Sequence, residues 1–153
     1  MSLIEQLARV IHVKKYNSIT FSVNDVPIIT ANFLENNKVI ILVNNMKELR
    51  YYELSYNGDV NSFANDVNDV LIYSGVDPMV RKLKGSSIKF YGEPYLEGEI
   101  RENKLIISQS KVDLDEEGGE VVSSDRHEIT AVIGLTGVTL AKTISAFALQ
   151  FYC

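Results

Sequence analysis

Apolar side chains recur along this chain with two different periods, and the switches between them mark out its elements. Leu3, Leu7, Val10 and Ile11 fall three or four residues apart. Ser2 and Glu5 have the form of a capping box, so residues 2–15 are predicted to form an amphipathic helix. From Ile19 the period drops to two: Ile19, Phe21 and Val23 alternate with Thr20 and Ser22, the pattern of a half-buried strand. Asn24-Asp25 and Asn36-Asn37 carry turn chemistry and set off two further strands, Ile28 to Leu34 and Val39 to Val43. Pro27 has no backbone donor and belongs at a strand start or an edge. Leu49 to Tyr56 reads as a fourth strand because of its tyrosines, although MKELRYYEL also suits a short helix.

Asn57-Gly58-Asp59 breaks this meander. Val60, Phe63, Ala64, Val67, Val70 and Leu71 then return to helical spacing, with Asp59 as the expected N-cap and Gly75 as the end. Asp77-Pro78 predicts a cap followed by proline at the first helical position, opening a short helix to Leu83 that Gly85 stops. Strands are expected at Ser87 to Tyr91, Tyr95 to Ile100, Lys104 to Ser110 and over residues 126–134. Gly92-Glu93-Pro94 and Glu102-Asn103 supply turns, and residues 113–120 (DLDEEGGE) an acidic loop. From Val138 to Tyr152 the pattern is helical again.

This order implies one α+β domain over residues 1–153. Its expected core is an antiparallel sheet of about six to eight strands, with N-terminal, central and C-terminal helices mainly on one face. A strongly curved sheet wrapped around the last helix is a variant of the same outline. The alternating strands speak against a doubly wound parallel sheet, whose strands are continuous apolar runs. Both halves share the outline of a helix, a meander and a closing helix, without sequence identity that would establish a repeat.

Charge narrows the partners. A net charge of −5 leaves no basic face to track phosphates, so no nucleic-acid partner is expected. Arg81, Lys82 and Lys84 form the one tight basic cluster, at a predicted helix end where cations suit the helix dipole. The single cysteine, Cys153, the lack of a glycosylation sequon and the lack of a secretory leader pattern together predict a cytoplasmic protein.

Candidate chemistry is sparse. His12 lies in the first helix, and His127 follows Ser123, Ser124 and Asp125 without any nucleophile-elbow motif. The acidic loop imitates a calcium loop from Asp113 through Asp115, Glu117 and Gly118. It then fails, with Glu120 at the eighth position and Ser124 at the twelfth, where a bidentate glutamate belongs. No phosphate loop, dinucleotide fingerprint or zinc pattern occurs, so neither a cofactor nor a metal is predicted. Tyr51, Tyr52, Tyr56, Tyr91 and Tyr95 are expected as sheet residues that bury a ring and expose a hydroxyl.

The C-terminal segment is the most apolar. From Ile129 to Cys153 the only charged side chain is Lys142, which placed mid-membrane would cost roughly 2.5–3.5 kcal/mol and so speaks against a membrane anchor. Leu140, Ile144, Phe147 and Phe151 form one row, and the smaller Gly137, Ala141, Ser145 and Ala148 another. A helix so apolar wants cover on more than one side. Leu140, Ala141, Ile144, Ser145, Phe147, Ala148 and Phe151 are therefore the candidate interface or ligand residues, covered by a protein partner (self or other) or by a small apolar ligand. The expected function is that of a non-enzymatic interaction protein, a homo-oligomer or a small subunit of a complex. A carrier holding an apolar ligand between helix and sheet is the second reading. An enzyme using His127, Asp125 and the acidic loop is the third.

Overall fold

In a computed structural model of the chain, residues 2–11, 16–82, 87–92, 96–101, 104–130 and 137–153 are described, with the backbone alone at 110–113 and 121–123. Helix α1 (Leu3–Val10) leads into strands β1 (Ser18–Val23), β2 (Val26–Phe33), β3 (Lys38–Asn44) and β4 (Leu49–Ser55). Helices α2 (Val60–Tyr73) and α3 (Val76–Arg81) follow, then β5 (Ile88–Gly92), β6 (Leu96–Arg101), β7 (Lys104–Leu114), β8 (Glu120–Thr130) and α4 (Gly137–Phe151). All eight strands lie in one open antiparallel sheet of order β4-β3-β2-β1-β5-β6-β7-β8. Two four-strand meanders thus meet at the β1–β5 pair, and the α+β outline stands without the strong curl.

Local chemistry accounts for most boundaries. Asn24 and Asp25 both take positive φ (50° and 65°), the backbone of a tight two-residue hairpin turn. Asn36 and Asn37 do the same between β2 and β3. Pro27 sits at a register shift between Phe21 and Ser22, where its missing donor does least harm. The Ser2 side chain caps α1 through the Glu5 N–H, and the Asp59 carboxylate caps α2 through Asn61 and Ser62.

Several boundaries differ from expectation. α1 ends at Val10, with Ile11 extended, and residues 12–15, His12 among them, lie outside the described residues. The MKELRYYEL stretch resolves as strand β4, because pairing with β3 satisfies its backbone. Asp77 does not cap α3: Gly75 holds that place, and Asp77 lies inside the first turn. The acidic loop shrinks to the tip of the β7–β8 hairpin, since the ladder runs to the Leu114–Glu120 pair. Tyr95, Lys84, Gly85 and Gly134 fall outside the described residues.

The helices cover one face of the sheet. Ile19, Phe21, Ile29, Ala31, Ile41, Val43, Ile88, Phe90, Ile100, Leu105 and Ile107 point into that layer and are buried. α4 lies in the middle of the layer and packs against α1 and α2. Its Leu140, Ile144 and Phe147 are buried, a contribution of roughly 1.5–3 kcal/mol each. The Phe147 ring meets Tyr16 and Phe90 edge-on. Asp77 is buried and ties the helix down: its carboxylate accepts from the Gly137 N–H at 2.6 Å and from Arg81 Nε at 2.9 Å. At the other end Phe151 stacks on Phe33, Tyr152 stacks on Tyr56, and the single proton of the Tyr152 hydroxyl is within reach of both the Leu34 and the Lys38 carbonyl. Burial pushes the phenols of Tyr16, Tyr56 and Tyr152 above their ordinary value.

Candidate functional site

The seven candidate residues of the last helix are core. Leu140, Ala141, Ile144, Ser145, Phe147 and Ala148 are buried within the chain itself, and Phe151 is half-buried against Phe33. The cover that their apolarity demands comes from α1, α2 and the sheet. Polar side chains of α4 are bonded within the chain as well. Thr143 Oγ1 donates to the Thr139 carbonyl, Ser145 Oγ to Ala141, and Gln150 Nε2 to the Ala8 carbonyl of α1. Helical hydroxyls bonded one turn back can be buried without an outside partner.

The histidine and acidic candidates are spread along a hairpin. His127 and Asp125 lie on the helix-facing side of β8, opposite Ile107 and Gln109, whereas Ser124 faces the other way. Asp115 closes the hairpin tip, accepting from the backbone N–H groups of Glu117 (3.0 Å) and Gly119 (2.6 Å). That carboxylate is committed to its own turn, as an Asx residue commonly is. Among the described residues no three His, Cys, Asp or Glu side chains gather as metal ligands. In the basic cluster Arg81 pairs with Asp77.

The open face of the sheet carries a depression of about 550 Å³ lined by Lys89, Glu97, Glu99, Arg101, Ser108 and Arg126, among others. Its charges compensate one another: Arg101 pairs with Glu99 and, at its rim, Arg126 with Glu128.

A second surface has a different character. β4 ends the sheet, so one side of its backbone has no strand beside it. Beside it runs an apolar groove of about 500 Å³ lined by Tyr52 of β4 and by Asp69, Val70, Ile72 and Tyr73 of α2. Nine large apolar or aromatic side chains are exposed among the described residues; Ile72 and Tyr73 line this groove, Met46 lies in the β3–β4 turn, and Leu49 and Tyr51 stand on the open face of the same edge strand. The two charged side chains of β4 are already engaged. Arg50 donates to Glu48 at 2.7 Å and to the Tyr73 carbonyl, and Glu53 pairs with Lys38 at 3.2 Å. Asn45 Nδ2 donates to the Ser74 carbonyl at 2.7 Å and ties the β3–β4 turn to the end of α2. In the same turn Met46 takes a left-handed backbone (φ 71°), a conformation costing about 1–2 kcal/mol for a residue other than glycine.

The opposite edge is guarded. β8 presents Asp125, Arg126 and Glu128, and α1 packs against it. Charged side chains are a usual device against unwanted strand pairing. β4 carries Arg50 and Glu53, each in an ion pair.

Residues 2–69 match the model of a protein family described as a family of unknown function (DUF6275). The match runs from α1 through β4 into α2, and so includes the strand wall of the groove and Asp69. No curated protein matches the chain, and neither does any solved structure. No helix among the described residues is long and apolar enough to cross a membrane.

The groove escaped sequence reasoning because its walls are separated along the chain. Tyr52 and Tyr73 each look like an ordinary half-buried position. A usable signal was the pair Ile72-Tyr73, which continues the apolar run of α2 past the stripe needed for the core.

Proposed function

We propose that this chain is a non-enzymatic interaction protein that docks a partner polypeptide along β4. One observation carries the reading: the sheet ends in an unpaired strand flanked by an apolar groove on a rigid helix. An extended segment laid beside Leu49–Ser55 would pair with the free backbone groups of the strand, and alternate side chains would enter the groove. At about 3.3 Å per residue, the seven residues of β4 offer an edge of about 23 Å. Asp115 of the acidic loop supports the same reading from the other side, because its carboxylate is spent on the backbone of its own turn.

The test is site-specific photocrosslinking in the protein's own host. A photoreactive residue replaces Tyr73 in one chain and Tyr91, on the open face, in a control chain. The same Tyr73 probe is placed in a Leu49→Lys/Tyr51→Lys background. Both of those side chains are mostly in solvent (73% and 61% exposed), so folding should survive while the edge becomes charged. The expected result is one protein crosslinked from position 73 and lost in the lysine background. Equal capture from position 91, indifference to the lysines, or no capture at all would overturn the reading.

A further inference from the structure

We infer that the occupant of the β4 groove is an extended segment of another protein that alternates apolar with basic side chains. This rests on the docking reading above and adds the chemical class of the partner. The argument is one of charge. Asp69 lines the groove, and Asp66, one turn earlier on α2, stands on the same exposed flank. Of the cations beside the edge, Arg50 is held by Glu48 and Lys38 by Glu53, so neither answers these aspartates, and the third, Lys47, lies in the β3–β4 turn. The chain as a whole carries −5. The groove is therefore apolar at its floor and acidic at its helical rim.

A second copy fits this rim poorly. Two β4 strands paired about a twofold axis would bring both α2 flanks to the same side of the joined sheet, each with Asp66 and Asp69. Like charges brought together across a contact are destabilising, and they steer wrong partners away. Lysine or arginine on every second residue of an incoming strand would instead lie along the acidic rim. Their aliphatic stems would cross Tyr52, Val70 and Tyr73 on the way. The residues between them, facing the other side of the sheet, could be Val, Ile or an aromatic to cover the exposed Leu49 and Tyr51.

The experiment uses the full chain and two synthetic eight-residue peptides, one alternating Val with Lys and one alternating Val with Glu, followed by backbone amide NMR shifts. The Val/Lys peptide is expected to shift residues 49–55 and 66–73, and to bind more weakly as salt is raised. Asp66→Asn with Asp69→Asn should lower that affinity by about threefold to tenfold at low salt, the scale of two exposed ion pairs. It should also flatten the salt dependence. Equal binding of the Val/Glu peptide, or of the Val/Lys peptide to the double variant, would overturn the basic class while leaving the docking surface standing. Shifts outside β4 and α2 with either peptide, or none, would sink the docking surface as well. Light scattering that shows a dimer abolished by Leu49→Lys/Tyr51→Lys would replace the foreign segment with a second copy.

Discussion

Replacing Asp77 by alanine should loosen the last helix at its start, and the structure sets the size of the effect. The buried carboxylate makes two bonds, to the Gly137 N–H at 2.6 Å and to Arg81 Nε at 2.9 Å. The first leaves a buried helix-terminal N–H without a partner once the carboxylate is gone, at a cost of about 1–3 kcal/mol. Loss of a negative charge at the helix N-terminus adds about 0.3–1 kcal/mol. The second bond adds little, because the Arg81 side chain is 58% exposed and water can replace the contact; exposed pairs are worth about 0–1 kcal/mol. Asp77→Ala should therefore cost about 1–4 kcal/mol, combining those ranges. Asp77→Asn keeps an acceptor for Gly137 and should cost about 1 kcal/mol, and Arg81→Ala no more than about 1 kcal/mol. Urea titration followed by far-UV circular dichroism measures all three, and an unchanged m-value keeps them comparable. In a chain of this length 1 kcal/mol moves Tm by about 2–4 °C, so a thermal scan separates them independently. If Arg81→Ala proves as damaging as Asp77→Ala, the carboxylate serves the ion pair and not the start of α4, and the reasoning is refuted.

Two other outcomes follow from single contacts. A Cβ at Gly98 would run into the Phe90 ring, which is itself buried against Phe21 and Phe147. Gly98→Ala should therefore destabilise by about 1–3 kcal/mol, as overpacked sites do, and Phe90→Leu in the same chain should recover part of the loss; additive losses in chemical denaturation would show that the two do not meet. Burial raises the phenol pKa of Tyr16, Tyr56 and Tyr152 in the folded chain above the unfolded value of 10.0. The unfolded state thus releases these protons first, so their contribution is fully present below pH 10 and is lost as pH rises through the folded pKa values. Denaturation midpoints at alkaline pH should fall beyond pH 10 alongside a delayed tyrosinate absorbance; phenols titrating at 10 in the folded chain would contradict the burial.

Much of the fold was legible along the chain. The period-two runs of β1 to β3, the asparagine turns at Asn24 and Asn36, and the Asp59 cap of α2 all rest on interactions within about four residues. The apolar character of α4 was equally plain, and so was its need for cover. What covers it was not, because α1 is separated from it along the chain by both meanders and α2 by the second. Asp77 misled for a related reason. Its neighbour Pro78 suggested a local cap, whereas its carboxylate serves Gly137, 60 residues away.

By itself the sequence determined which segments are strands and helices, where they turn, and which side chains must leave water. These follow from backbone sterics, short-range hydrogen bonds and the period of the apolar positions. Only the tertiary structure decided the strand order, and with it that β4 is an edge and β1 an interior neighbour of β5. It also brought Tyr73 to the side of β4 and turned the C-terminal row from a candidate surface into the core. Apolar burial is non-directional: it dictates that a side chain be covered, and the packing of distant segments dictates by what.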